Sequence, residues 1–223
     1  MGAAYAEGRH RLTELVQDLD DDTAASTVPC CPAWSVHDVL AHLTGVCADV
    51  LAGRIEGVGT DPWTDAQVVT RRDAPLKDVL TEWNEVAPAV EAMAGAFGAA
   101  GFQWVGDQAL HEHDVRGALD RPGARDSETV HVGLRFMVPG FLEAVSELGV
   151  PILEVQVGER AWRSGDGEPG VRLPLSPFDA LRSLCGRRSV DQLRALPWTG
   201  DPEPYLEAFT WGPFAPPATD VRE

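Results

Sequence analysis

From residue 75 onward the apolar residues fall at Leu76, Val79, Leu80, Trp83, Val86, Val90, Met93 and Phe97. Steps of three and four place all of them on one side of an α-helix and on no common face of a strand. A helix this one-sided must lay its apolar stripe on other apolar surface. The chain supplies partners. Leu12, Leu15, Val16 and Leu19 repeat the spacing within residues 4 to about 20, and Val39, Leu43, Val46 and Val50 repeat it from residue 36 to about 54, flanked by Leu40 and Cys47. Residues 102–119 form a further helix, ended by Arg121-Pro122-Gly123. Asp126-Ser127-Glu128 opens another, with Val130, Leu134, Met137, Val138, Phe141, Leu142, Val145 and Leu148 on its buried face. Pro88 and Pro139 lie inside two of these segments, and each is expected to kink its helix. A short helix is expected over residues 65–72, after the breakers Gly57, Gly59 and Pro62.

Ser35 and Asp38 stand three apart before an apolar run, with Asp38 in place of the usual Glu, which is the pattern of a capping box. The texture changes after Gly149. Ile152 to Val157 alternates, Ala161-Trp162-Arg163 follows a Gly-Glu-Arg turn, and Val171 to Leu175 offers a third strand. Ser176-Pro177 starts a short helix with proline at its first position, a second is expected over residues 189–196, and the proline-rich tail from Pro213 is irregular. The expectation is a mainly α protein: a helix-bundle domain over residues 1–149 and a small α+β domain over residues 150–223.

Charge narrows the partners. The formal net charge of −17 lacks the basic footprint of a nucleic-acid binder and opposes docking on an anionic membrane. No apolar run approaches the roughly 20 residues of a membrane span, and the first residues show no signal-peptide core. Cys30, Cys31, Cys47 and Cys185 show no Cys-x-x-Cys spacing. Reduced thiols in a cytoplasmic protein follow.

Chemistry concentrates in Gly106-Asp107-Gln108-Ala109-Leu110-His111-Glu112-His113-Asp114-Val115-Arg116. On a helix, Asp107 and His111 share a face, Asp114 falls beside His111, and His113 points elsewhere. His42 lies on the apolar stripe of its own helix and so faces the core. Two histidines and a carboxylate, with one position left open, match the ligand set of catalytic zinc, and the core of a helix bundle is a place to build one. A buried histidine is also commonly a hydrogen-bonded core residue, so spacing alone leaves both readings open. Asp114 can orient a ligand histidine or pair with Arg116 and Arg121, and the structural role is the favoured one. The Cys30-Cys31 pair beside His37 reads as packing at a helix entrance, and His37 as a surface residue.

Cys31-Pro32-Ala33-Trp34-Ser35-Val36-His37-Asp38-Val39-Leu40-Ala41-His42-Leu43 resembles the Cys-Pro-Gly-Trp-(Ser/Thr)-Val-x-Asp-(Val/Leu)-(Val/Leu)-Ala-His-Leu signature of the mycothiol-dependent maleylpyruvate isomerase family, whose members are DinB-like four-helix-bundle metalloproteins. Leu110-His111-Glu112-His113-Asp114-Val115-Arg116-Gly117-Ala118-Leu119-Asp120-Arg121-Pro122 resembles its second signature, Val-His-x-x-Asp-x-Arg-x-Ala-Leu-Gly-Arg-Pro. The segment from Ser176 to Arg187 is similar to the family's small, sterol-carrier-like C-terminal domain.

The resemblance implies a divalent metal, zinc foremost, held by His42, Asp107 and His111. It departs from the family at Asp107, where relatives carry Glu; the loss of one methylene shortens the reach by about 1.5 Å. It further implies mycothiol as thiol cosubstrate, a small electrophilic substrate, and isomerase or transferase chemistry. Arg187 is the expected cation for an anionic substrate. The alternative is a non-catalytic protein that keeps a metal or small ligand on the same scaffold, a reading that the change from Glu to Asp favours.

Overall fold

The computed structural model describes residues 1–223. Helix α1 spans Gly2–Val16, α2 Asp21–Ala24, α3 Val36–Leu51, α4 Asp61–Arg71, α5 Leu76–Met93, α6 Ala99–Ala118 and α7 Glu128–Glu147, and the side chains of Asp20 and Ser35 cap α2 and α3. The Ser35 hydroxyl accepts from the Asp38 amide and the Asp38 carboxylate accepts from the Ser35 amide, so the capping box at α3 is complete. Such a cap contributes about 1 kcal/mol. Helix α5 runs through Pro88 and α7 through Pro139.

The chain divides into two compact units, Met1–Gly123 together with Glu223, and Ala124–Arg222. In the first, α5 touches α3 and α1, and α6 touches α1 and α3, so these four helices close a ring with α1 diagonal to α3. This is a four-helix bundle. Its interior holds Tyr5, Leu12, Leu40, Leu43, Trp83 and Val105, all essentially without solvent contact. Each large apolar side chain buried in this way stabilises the fold by roughly 1.5–3 kcal/mol. The short helix α4 lies outside the ring against α3.

In the second unit, β1 (Leu153–Val157) pairs antiparallel with β2 (Arg160–Arg163) and parallel with β3 (Val171–Leu175), in the order β2-β1-β3. Pro174 is accommodated because β3 is an edge strand and needs fewer ladder donors. Helices α8 (Pro177–Leu184) and α9 (Val190–Arg194) and a 3₁₀ segment over Glu203–Phe209 complete it. Helix α7 packs on α8, on both β1 and β2, and on the 3₁₀ segment, with Phe141 against Phe209 at 4.6 Å between ring centroids. The apolar face of α7 is therefore covered within the second unit, to which α7 itself belongs. The change of texture at residues 149/150 separates helix from strand, and the boundary between compact units falls earlier, at residues 123/124. No helix is long and apolar enough to cross a membrane.

Candidate metal centre

Helix α3 carries His42 and helix α6 carries Asp107 and His111, and the packing of α3 on α6 brings the three together inside the first unit. His42 Nε2 lies 3.3 Å from Asp107 Oδ2, and His111 Nε2 lies 3.5 Å from Asp107 Oδ1. Both imidazoles are almost wholly buried, whereas the Asp107 side chain keeps 33% of its exposure. The access to the site is thus on the carboxylate side. Trp34, placed by a loop closed by the Val28–Trp34 backbone hydrogen bond, tilts over both histidines, with ring centroids at 5.1 and 5.7 Å.

The outer hydrogen bonds decide which ring nitrogens carry hydrogen. Asp49 Oδ2 accepts from Gln67 Nε2 at 2.8 Å, so the Gln67 amide must turn its oxygen to His42 Nδ1, also at 2.8 Å. An amide oxygen only accepts, so His42 Nδ1 donates. His111 Nδ1 lies 3.1 Å from Asp114 Oδ2 and donates to that carboxylate by the same argument. In the neutral tautomers this leaves both Nε2 lone pairs facing Asp107. Two lone pairs and a carboxylate converge, an arrangement of acceptors that is favourable only with positive charge among them.

A divalent ion satisfies that requirement. Zinc bonds of about 2.0–2.1 Å in tetrahedral geometry set ligand atoms roughly 3.3–3.4 Å apart, close to the observed separations at Asp107. All three donor atoms lie within 4.8 Å of one another. The shorter Asp107 side chain therefore still reaches both histidines.

Several residues take roles that the sequence pattern had hidden. Gln67 sits on α4, which the sequence marks only as a short helix over residues 65–72 after the breakers Gly57, Gly59 and Pro62. The available signal was Gly45, an isolated glycine inside α3 three residues after His42; a glycine in a helix interior commonly marks a close approach. A Cβ there would lie 2.4 Å from Gln67 Cβ. Asp114 is fully buried against His111, whereas the arginines expected to pair with it go elsewhere: Arg116 to Glu112 and Arg121 to the Leu15 carbonyl. Asp114 orients a histidine, and the ion pair with Arg116 and Arg121 does not form. His37 is half-buried, with Nε2 2.8 Å from the Ala74 carbonyl oxygen. Cys31 Sγ lies 3.8 Å from Asp114 Oδ2.

Deeper in the bundle, Cys47 Sγ lies 3.3 Å from the Tyr5 hydroxyl, which also accepts from Trp83 Nε1 at 3.3 Å. Burial pushes the Cys47 thiol up to about 11 and the Tyr5 phenol well above its ordinary value. Cys47 stays a protonated thiol at neutral pH, which removes it as a nucleophile. Arg187 belongs to the second unit, in the turn after α8, where its Nη1 donates to the Cys185 carbonyl at 3.1 Å.

The profile of the mycothiol maleylpyruvate isomerase N-terminal domain family matches residues 5–122. The chain belongs to that family. The matched stretch holds the four ring helices, apart from the first three residues of α1, and all three converging residues. Among solved structures, a histidine-to-alanine mutant of the mycothiol-dependent maleylpyruvate isomerase aligns with 10% identity and a TM-score of 0.49, over 83% of this chain and 88% of that one. A search of the curated proteins finds no match.

Proposed function

We propose that this protein is a divalent-metal-dependent enzyme that uses a low-molecular-weight thiol, mycothiol, to isomerise or conjugate a small electrophile. The observation that carries the reading is the convergence of two imidazole lone pairs on the Asp107 carboxylate, in a chain of the maleylpyruvate isomerase family. His42, Asp107 and His111 would hold the ion, and zinc suits this set of two nitrogens and one oxygen. When bound, the ion would keep a coordinating thiol deprotonated at neutral pH.

The protein's own residues do the rest. Gln67 and Asp114 hold the histidines in the ligating tautomer. Trp34 covers one side of the pair and keeps water from it. The open side at Asp107 is where thiol and electrophile would meet. Arg187 would attract an anionic substrate that the net charge of −17 would otherwise repel. The protonated Cys47 is not itself the thiol nucleophile. A cytoplasmic location, where such thiols are kept reduced, suits this chemistry.

The test combines purified zinc-loaded protein with mycothiol and a panel of electrophiles that includes maleylpyruvate. Thiol adducts or isomerised product, lost in His42→Ala and His111→Ala, are the expected result. A second reading, a binding protein without turnover, rests on Asp107 replacing the family's Glu. Metal bound stoichiometrically with no product from any electrophile supports that second reading. Unchanged metal content in both histidine variants overturns both.

A further inference from the structure

Helix α4 contributes no residue to the three that converge, yet it reaches them through Gln67. We propose that Gln67 is a positioning residue for His42, held in its working orientation by Asp49, and that this chain sets the affinity of the site for a divalent ion. The inference rests on the metal reading above and adds to it a specific determinant on an outlying helix.

The argument starts from the ambiguity of an amide. A glutamine can present either its oxygen or its NH₂ to a neighbour, and only the oxygen leaves His42 Nε2 as a lone pair. Asp49 removes the ambiguity. Its Oδ1 accepts from Arg54 Nε at 2.8 Å, and its Oδ2 accepts from Gln67 Nε2 at 2.8 Å. The ion pair with Arg54 fixes the Asp49 carboxylate in place, and a carboxylate offers only acceptor oxygens to the Gln67 amide. The Gln67 oxygen is thereby directed at His42 Nδ1.

Position is specified as firmly as orientation. Gly45, one turn beyond His42, lets the Gln67 side chain lie against the α3 backbone. Arg71, one turn beyond Gln67, donates from Nη1 to the Gln67 carbonyl and clamps Glu82 of α5 with Nε and Nη2. Gln67 is itself 2% exposed, so no solvent competes for its amide. The two histidines thus have unequal support, a neutral amide behind His42 and a carboxylate behind His111.

The experiment measures Zn²⁺ and Co²⁺ affinity of the full chain by competition with a chromophoric chelator, with circular dichroism to verify folding. Gln67→Met keeps the length and removes both polar ends; the affinity is expected to fall on the order of 10- to 100-fold. Gln67→Glu sets a carboxylate against Asp49 and is expected to weaken binding as well. Adding Asp49→Asn to it restores a donor for Glu at position 67, which still accepts from His42, so the double variant is expected to regain affinity and the Co²⁺ visible spectrum of the parent. Parent-like affinity in Gln67→Met, while His42→Ala has lost binding, overturns the inference and leaves the metal reading standing. Parent-like affinity in His42→Ala and His111→Ala overturns the metal reading itself. If Gln67→Met does not fold, the pair decides: a double variant no tighter than Gln67→Glu alone overturns the proposal.

Discussion

Gly45 of α3 and Gln67 of α4 leave no room for a side chain between them: a Cβ on Gly45 would lie 2.4 Å from Gln67 Cβ and 2.6 Å from its Cγ. The glycine lowers the intrinsic helix preference of α3 by about 1 kcal/mol relative to alanine. What it allows is the approach that brings an amide on one helix to a histidine on the other.

Gly45→Ala therefore does not gain the stability that helix propensity alone predicts. Overpacking a tight contact costs about 1–3 kcal/mol, and the nearby Arg71 Nη1, 3.0 Å from the added carbon, limits any sidestep. Urea denaturation should show a net loss of stability, and zinc affinity should fall together with it as Gln67 is pushed from His42. A variant more stable than the parent, with unchanged affinity, would show that α4 yields freely.

Asp107 is the short ligand, and its substitutions separate reach from charge. Asp107→Asn keeps the shape and removes the negative charge, so zinc affinity and any thiol reaction should drop sharply. Asp107→Glu installs the residue that the family resemblance implies at this position and should retain metal, because the carboxylate lies on the exposed side of the site where an added methylene has space. Equal zinc content in the parent and in Asp107→Asn after dialysis against a weak chelator would remove Asp107 from the ligand set.

Asp114 supports His111 from within α6. Asp114→Ala leaves a buried Nδ1–H of His111 without this acceptor, which costs about 1–3 kcal/mol, and releases the ring from its ligating tautomer. Metal affinity should fall on the order of 10- to 100-fold. Asp114→Asn keeps an accepting oxygen and should lie between the alanine variant and the parent. The two losses, read by denaturation and by metal competition, should appear together; a stability loss with parent-like affinity would confine Asp114 to the fold.

What the sequence disclosed of this site, and what it withheld, follows from the range of the interactions. Asp107 and His111 were legible because their relation is internal to one helix, where a four-residue step fixes a shared face. His42 was legible as core-facing from the stripe around it, and the capping box at Ser35 from its three-residue spacing. The family signature around Trp34 and His42 then joined the two helices. Gln67 was not legible, because its partner depends on how closely α4 lies on α3, and only Gly45 hints at that. The role of Asp114 was underrated for a related reason: three residues from His111 and two from Arg116, it had two local partners on paper, and burial chose the histidine. Helix α7 was assigned with the bundle because its periodicity says that it packs but not on what. Its partners, Phe209 and the strands, come later in the chain.

Cys47 makes the stability of the protein sensitive to alkaline pH. Burial holds its thiol up to about 11 in the folded protein, whereas an unfolded cysteine ionises near 8.5. The folded state therefore keeps a proton that the unfolded state releases. Its contribution is complete below the unfolded value and declines as pH rises towards the folded one, by roughly 1.4 kcal/mol per pH unit. The total loss is on the order of 3 kcal/mol. Tyr5, also raised by burial, acts in the same direction at higher pH. Urea midpoints measured from pH 7 to 10.5 should decline more steeply for the parent than for Cys47→Ala, whose lower stability at pH 7 should be partly recovered relative to the parent at pH 10. In the same window the folded parent should leave Cys47 unmodified by iodoacetamide, with labelling appearing only in urea. Parallel pH profiles for the two proteins, or ready alkylation of Cys47 at pH 8 without denaturant, would show that this thiol is neither as buried nor as strongly protonated as its place in the bundle interior requires.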